Sequence, residues 1–182
     1  MSILPQTKVP KLELTLLHGQ PWSTENITSK AFTLLIVYRG NHCPICQDYL
    51  QTFQSLQPDF NKLGVELVAV SADTRERAER SRDEWAVEKL AIGYGLSEQQ
   101  MRNWNLFVSR SIKKAEPDVF AEPALFLIQP DGRLFYAAYN SMPFGRPRPE
   151  DILKMVQFVQ KNDYPARGEM RDFLLARETV SS

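Results

Sequence analysis

A chain of 182 residues with 43% apolar side chains can bury one sizeable core and is short for two domains. Lysine plus arginine equals aspartate plus glutamate at 22 each, so the long-range attraction typical of nucleic-acid binders and anionic-membrane binders is missing. The longest apolar run, residues 31–38, is too short to cross a bilayer and includes a threonine, which marks it as a buried strand.

The first ten residues show no basic start, apolar core or small-residue cleavage site, so the cytosol is the expected address. Leu12, Leu14 and Leu16 alternate ahead of a His18-Gly19-Gln20-Pro21 turn, which predicts a short hairpin lid. Residues 33–38 form a continuous β-branched and aromatic run, as a central strand covered on both faces requires. A loop, Arg39-Gly40-Asn41, follows it. Pro44 then suits the first position of a helix in which Ile45, Tyr49, Phe53 and Leu56 recur at helical spacing, with Pro58 as the expected stop.

Residues 65–70 predict the next strand, and Asp73 with Glu76 gives a capping-box signal for a helix to about Val87. Its alternating charges, from Asp73 to Glu84, read as a solvated face with pairs such as Glu76 and Arg80. Ser97 and Gln100 repeat the capping pattern before Met101 and Trp104, which predicts a shorter helix between two loops; Trp85 and Trp104 read as core or as a wall of the site. Two apolar runs, 124–128 and 133–138, flank a Pro-Asp-Gly turn and predict an antiparallel hairpin. A proline-rich loop at 142–149 leads to a last helix with Glu150 and Asp151 in its first turn and Ile152, Met155, Val156 and Val159 on its apolar face. Such loops are often plain connectors. Phe173, Leu174 and Leu175 suggest a short amphipathic helix that docks on the core or on a partner subunit, so a homodimer stays open, and the last five residues read as frayed. The strand and helix rhythm gives an α/β class with parallel pairing at its centre.

Chemistry concentrates at Cys43-Pro44-Ile45-Cys46. In a reducing cytosol two closely spaced cysteines are seldom a staple and are more often catalytic or metal-binding. A helix starting at Pro44 puts Cys43 at its N-cap, where unpaired N–H groups and the macrodipole favour a thiolate, the reactive form. Cys46, one turn in and more buried, lies within disulfide reach, as a resolving thiol must. Arg39 either adds positive charge at the sulfur or points into water, and His42 is either a proton relay or, more commonly for a loop histidine, simply solvated. A zinc site lacks ligands, since only His18 and His42 remain and their spacing matches no standard pattern. Two inert buried cysteines fit poorly with an exposed loop, a proline and a helix start.

With 38–46 set between a strand and a helix, the chain resembles the thioredoxin superfamily and, within it, the AhpC/TSA, peroxiredoxin-like branch, over roughly residues 5–165, leaving 166–182 as a C-terminal extension. The resemblance implies a thioredoxin-like fold, a central mixed β-sheet flanked by helices. It implies that Pro123, after Glu122, is a cis-proline beside the reactive cysteine. Cys43 and Pro123 are about eighty residues apart, room for the extra helix and strand of a peroxiredoxin-type insertion. The supporting residues are then Tyr38, Arg39, Gly40, His42, Pro44, Glu122 and Pro123, with no metal and no cofactor. Departures are visible: Gly40 and Ile36 stand where peroxiredoxins carry a threonine or serine and a proline, Pro123-Ala124 leaves the second arginine unmatched, and Val37 occupies the place of the buried aspartate of thioredoxin.

The expected activity is a thiol peroxidase in which Cys43 attacks a hydroperoxide, Cys46 condenses with the product, and an external dithiol such as thioredoxin reduces the disulfide. The competing expectations are a protein-disulfide oxidoreductase using the same cysteines and a redox-sensing adaptor binding through the 142–149 loop and the C-terminal segment.

Overall fold

The computed structural model describes residues 3–170. The segment expected as an amphipathic helix around Phe173 and the frayed end lie outside the described residues. In chain order the elements are β1 (Glu13–Leu16), β2 (Pro21–Ser23), β3 (Phe32–Val37), α1 (Pro44–Lys62), β4 (Val65–Val70), α2 (Arg75–Glu84), β5 (Ala91–Tyr94), α3 (Glu98–Asn103), β6 (Val108–Arg110), β7 (Val119–Ala121), β8 (Ala124–Ile128), β9 (Leu134–Tyr139) and α4 (Pro149–Asn162).

Seven strands form one sheet in the order β2-β1-β5-β4-β3-β8-β9, while β6 and β7 make a separate antiparallel ribbon. β3 pairs parallel with β4, and β4 with β5; β3 with β8, β8 with β9, and β1 with both its neighbours are antiparallel. This is the expected mixed sheet flanked by helices. All six residues of β3 are buried, and its period-two alternation splits them between two cores. Leu34 and Ile36 join Leu50, Phe53 and Phe60 of α1 and Ile152 and Val156 of α4; Leu35 and Val37 join Val68, Phe126, Met101 and Trp104. Truncating a residue such as Phe53, fully buried here, to alanine costs about 3–5 kcal/mol in cores of this kind.

Several expectations need correction. The N-terminal hairpin forms, but as sheet rather than lid: β1 pairs with β5, Leu16 opposite Gly93, where the missing side chain leaves room for Leu14, which a Cβ would meet at 3.0 Å. The β5 strand and the β6–β7 ribbon occupy stretches that carried no strand signal. α1 runs through Pro58 to Lys62; the proline removes one helical hydrogen bond near the C-terminal end, where buried Phe60 holds the turn against the core. α2 is capped by Thr74, whose hydroxyl accepts from the Arg77 N–H, and it ends at Glu84 rather than near Val87 as Trp85 closes it and Ala86 takes a left-handed φ of 51°. The Ser97–Gln100 capping box, the 124–139 hairpin and the last helix stand where the sequence places them.

Candidate active site

β3 delivers the chain to the site. Beyond Val37 the Tyr38 N–H still donates to the Val70 carbonyl, and then the backbone leaves the sheet through Gly40, whose φ of +131° suits glycine alone. The Cys43 N–H donates back to the Gly40 carbonyl at 3.1 Å, and α1 begins at Pro44 with Cys43 as its N-cap. Pro44 is tolerated there because its missing N–H falls among those without an intrahelical acceptor. Both cysteines are free and buried, Cys43 at 2% exposure and Cys46 at 0%, so the loop does not expose the first thiol as expected. Access runs through a cavity of about 260 Å³ walled by Arg39, His42, Lys113 and Glu116 and by Ile45, Pro143 and Phe144 around Cys43. A larger cavity, about 460 Å³ between the N-terminal segment, β9 and α4, reaches neither cysteine.

The two thiols are electrostatically opposed. The Cys43 thiol is lowered to about 7, first by a hydrogen bond from the Cys46 side chain, then by the Cys46 backbone N–H and the Arg39 and Arg146 charges, against the opposing effect of burial. The Cys46 thiol is pushed well above its usual range, because it donates that bond to Cys43 and because it is buried. Of the two sulfurs, Cys43 is the one whose thiolate is favoured.

Asp73, read from sequence as part of a solvated helix face, is fully buried and turned inward. One carboxylate oxygen accepts from the Asn41 N–H at 2.7 Å and the other from Arg77 Nε at 2.7 Å. A Cβ at Gly40 would sit 2.7 Å from that carboxylate, which is why a glycine and not a hydroxyl-bearing residue stands at this position. The helix charge pattern hides this, since a buried carboxylate at the N-terminal edge of a helix looks like any other acid in the first turn.

Arg39 lies at the site, not in water. Its side chain is 18% exposed, pairs with Glu116 at 3.7 Å and Glu122 at 3.3 Å, and its guanidinium sits 4.8 Å from the Phe120 ring centroid. Glu122 also accepts from the Ser109 hydroxyl at 2.6 Å, so the β6–β7 ribbon clamps the arginine. Backbone N–H groups of Ile112 and Lys113 hold the Glu116 carboxyl below its usual range, with smaller help from His42 and Arg39. His42 is half-buried rather than solvated. Its ring meets Phe120 edge-on at 4.7 Å, and burial followed by the Arg39 charge lowers its basicity, so it is neutral near pH 7.

Tyr38 is fully buried on the face shared with Cys46, and burial raises its phenol beyond any working pH. Pro123 is not in the cis form: no described peptide bond is. The backbone on either side is held instead by hydrogen bonds, the Glu122 N–H donating to the Phe107 carbonyl and the Asn140 N–H to the Pro123 carbonyl. Glu116, Phe120 and Arg146 escaped sequence reasoning altogether. Arg146, in the proline-rich loop, places Nη1 3.9 Å from Cys46 Sγ. Among the described residues no group of three histidine, cysteine or acidic side chains gathers as a metal site.

The comparisons with known proteins bear on this arrangement. The AhpC/TSA family model matches residues 5–137. This chain belongs to the AhpC/TSA family. Among curated relatives, a peroxiredoxin of Treponema denticola is 26% identical over 90% of this chain and 81% of its own length, and a chloroplastic 2-cysteine peroxiredoxin of Chattonella marina var. antiqua is 25% identical over 89% and 85%. Among solved structures, Enterococcus faecalis AhpC superposes with a TM-score of 0.71 at 20% identity, covering 92% of this chain and 99% of that one. Peroxiredoxin 6 of Arenicola marina gives 0.71 at 20% identity over 87% and 74%. The fold is therefore the thioredoxin-like fold of the peroxiredoxins, with α3 and the β6–β7 ribbon among the elements between Cys43 and Pro123 in the chain.

Proposed function

We propose that this AhpC/TSA protein is a thiol peroxidase that uses Cys43 as the attacking sulfur and Cys46 as the resolving one. The observation that carries the assignment is the polarity of the pair: the sulfur at the N-cap, facing the cavity, is the one whose thiolate is favoured, and its neighbour one turn in holds the proton. The Cys43 thiolate attacks one oxygen of the hydroperoxide, the O–O bond breaks, and the other oxygen leaves as an alcohol or water once protonated. The product is a sulfenic acid on Cys43. Attack by Cys46 closes the disulfide, and an external dithiol, a thioredoxin-like protein, restores both thiols.

Arg39 stands at the cavity wall, braced by two carboxylates and the Phe120 face, where it offers a donor to the developing charge on the leaving oxygen. Neutral His42 shapes the wall beside it and does not need to carry charge. Gly40 gives no hydroxyl to the peroxide, so the work of orienting it falls to Arg39 and the backbone at the helix start. A closely spaced cysteine pair that must be returned to thiols suits a reducing compartment, which favours the cytosol as the working address.

Stopped-flow mixing of the reduced protein with hydrogen peroxide and with an organic hydroperoxide tests this. Oxidation of Cys43 far faster than a free thiol is expected; a rate no higher than a free thiol sinks the peroxidase reading. A Cys46→Ser variant that then accumulates mixed disulfides with client proteins would transfer the same cysteines to protein-disulfide exchange, the reading that the absent hydroxyl at Gly40 favours.

A further inference from the structure

The proline-rich loop after β9 is fastened to α1 at the level of the cysteines. Tyr49 Oη donates to the Pro147 carbonyl at 2.6 Å, and the Arg146 guanidinium lies over the Tyr49 ring, 3.8 Å from its centroid. Arg146 Nη2 donates to the Ile45 carbonyl at 3.0 Å, which leaves Nη1 aimed at Cys46 Sγ. Asn140 closes the loop on itself by donating to the Gly145 carbonyl at 3.2 Å. Among the described residues no carboxylate lies within ion-pair distance of Arg146, whereas Arg39 is paired twice. The Arg146 charge is therefore directed at the ring and at the sulfur.

That sulfur has a difficult task. It must lose a proton to attack Cys43, although it is fully buried and adjoins a sulfur that favours negative charge. We propose that Arg146 is a catalytic residue of the resolving step, its guanidinium stabilising the Cys46 thiolate as that sulfur attacks Cys43. The inference rests on the reading that Cys43 and Cys46 cycle between dithiol and disulfide. In the step, the Cys46 thiolate forms the S–S bond, the S–O bond of the Cys43 sulfenic acid breaks, and hydroxide leaves to combine with the proton released by Cys46, giving water. If a mixed disulfide stands on Cys43 instead, the outer thiolate leaves. Nothing else is oxidised or reduced. Tyr49 carries the guanidinium on its face and, through Pro147, keeps the loop seated.

The aryl disulfide 5,5′-dithiobis(2-nitrobenzoate) separates the two halves without any peroxide. Attack by Cys43 releases one thionitrobenzoate, and attack by Cys46 on the mixed disulfide releases the second. In Arg146→Met the second release is expected to slow at neutral pH and to recover at alkaline pH, its inflection moved upward, with the first release less affected. Each unit of rise in the Cys46 thiol removes about tenfold of its thiolate and returns about threefold through greater nucleophilicity, a net loss of about threefold. Arg146→Lys, which keeps the charge without the fork, should restore most of the rate. The first release reports that the variant site is folded. A second release with the wild-type inflection, or one slowed equally at every pH, overturns the assignment of Arg146. A wild-type protein that gives one release and no second removes the dithiol cycle and the proposal with it, whereas failure to react with peroxide alone touches only the peroxidase reading.

Discussion

Cys43 and Cys46 belong to the first turn of one helix, yet the segments that cover them come from distant parts of the chain and are built in different ways. Around Cys43 the 38–43 loop is braced from behind by buried Asp73 and from the side by Arg39, itself held between Glu116 and Glu122. Around Cys46 there is apolar core, the phenol of Tyr38 nearby, and a single guanidinium brought in by the 140–149 loop. One sulfur, lowered to about 7 chiefly by the bond from Cys46, sits beside a charged network with matched partners. A lone cation beside a protonated, fully buried thiol waits for a charge that exists only during reaction. Spacing makes the two cysteines capable of a disulfide; their surroundings decide which attacks and which resolves.

The largest effect comes from removing the poised sulfur. Cys43→Ser is expected to abolish peroxide consumption in a coupled assay with a thioredoxin system, since Cys43 is the sulfur at the cavity and Cys46 is fully buried away from it. Residual turnover in that variant would mean that the two roles are reversed.

Next is the brace behind the loop. Gly40→Thr would add a hydroxyl at this position, but it would force a β-branched residue to φ near +131° and its Cβ onto the Asp73 carboxylate. Backbone strain together with the displaced carboxylate is expected to cost about 3 kcal/mol in chemical denaturation. A variant as stable as the parent would show that Asp73 is free to move, and would weaken the distinction between a rigid Cys43 side and a looser Cys46 side.

Legibility in the sequence follows the same divide. β3, β4, the 124–139 hairpin and α4 are long apolar runs with turn or capping residues at their ends, and the helix start at Pro44 has its own local signature, so these elements and the Cys43 N-cap could be read directly. β5 has a single β-branched residue and a glycine, and β6 and β7 have three residues each, too short for periodicity to register. Asp73 was invisible as a buried residue because only the packing of the loop shows that it faces inward. Arg146 stands 100 positions from Cys46 in a segment without period, and only the folded sheet brings them together. The expectation of a cis bond at Pro123 came from resemblance, and the described peptide bonds are all trans.

The hydrogen bond between the thiols can be tested by deleting its donor. Cys46→Ala should move the Cys43 inflection from about 7 toward the ordinary 9.0, because the bond from Cys46 is the largest of the causes that lower it. Iodoacetamide alkylation followed over pH 5–10 reads the inflection, and the sign is fixed: the folded site favours the anion, so reactivity at neutral pH falls in the variant. An unmoved inflection would assign the polarity of the pair to the arginines and the helix start instead.

Arg39 should give the smallest shift of this series. Its charge lowers the Cys43 thiol by less than the bonds from Cys46 do, so Arg39→Met is expected to raise the inflection by less than Cys46→Ala. The same variant leaves Glu116 and Glu122 without their cation, which disturbs the ribbon that clamps the site. The two consequences separate by measurement. If Arg39 acts at the leaving oxygen, the peroxide rate at a pH well above the inflection, where Cys43 is fully thiolate, still falls by about one hundredfold, the scale found for loss of one well-placed donor. Alkylation at that pH involves no leaving oxygen of this kind, so it should be nearly unchanged. A parallel loss in both reactions would reduce Arg39 to a structural brace and leave the orienting of the peroxide to the backbone at the helix start alone.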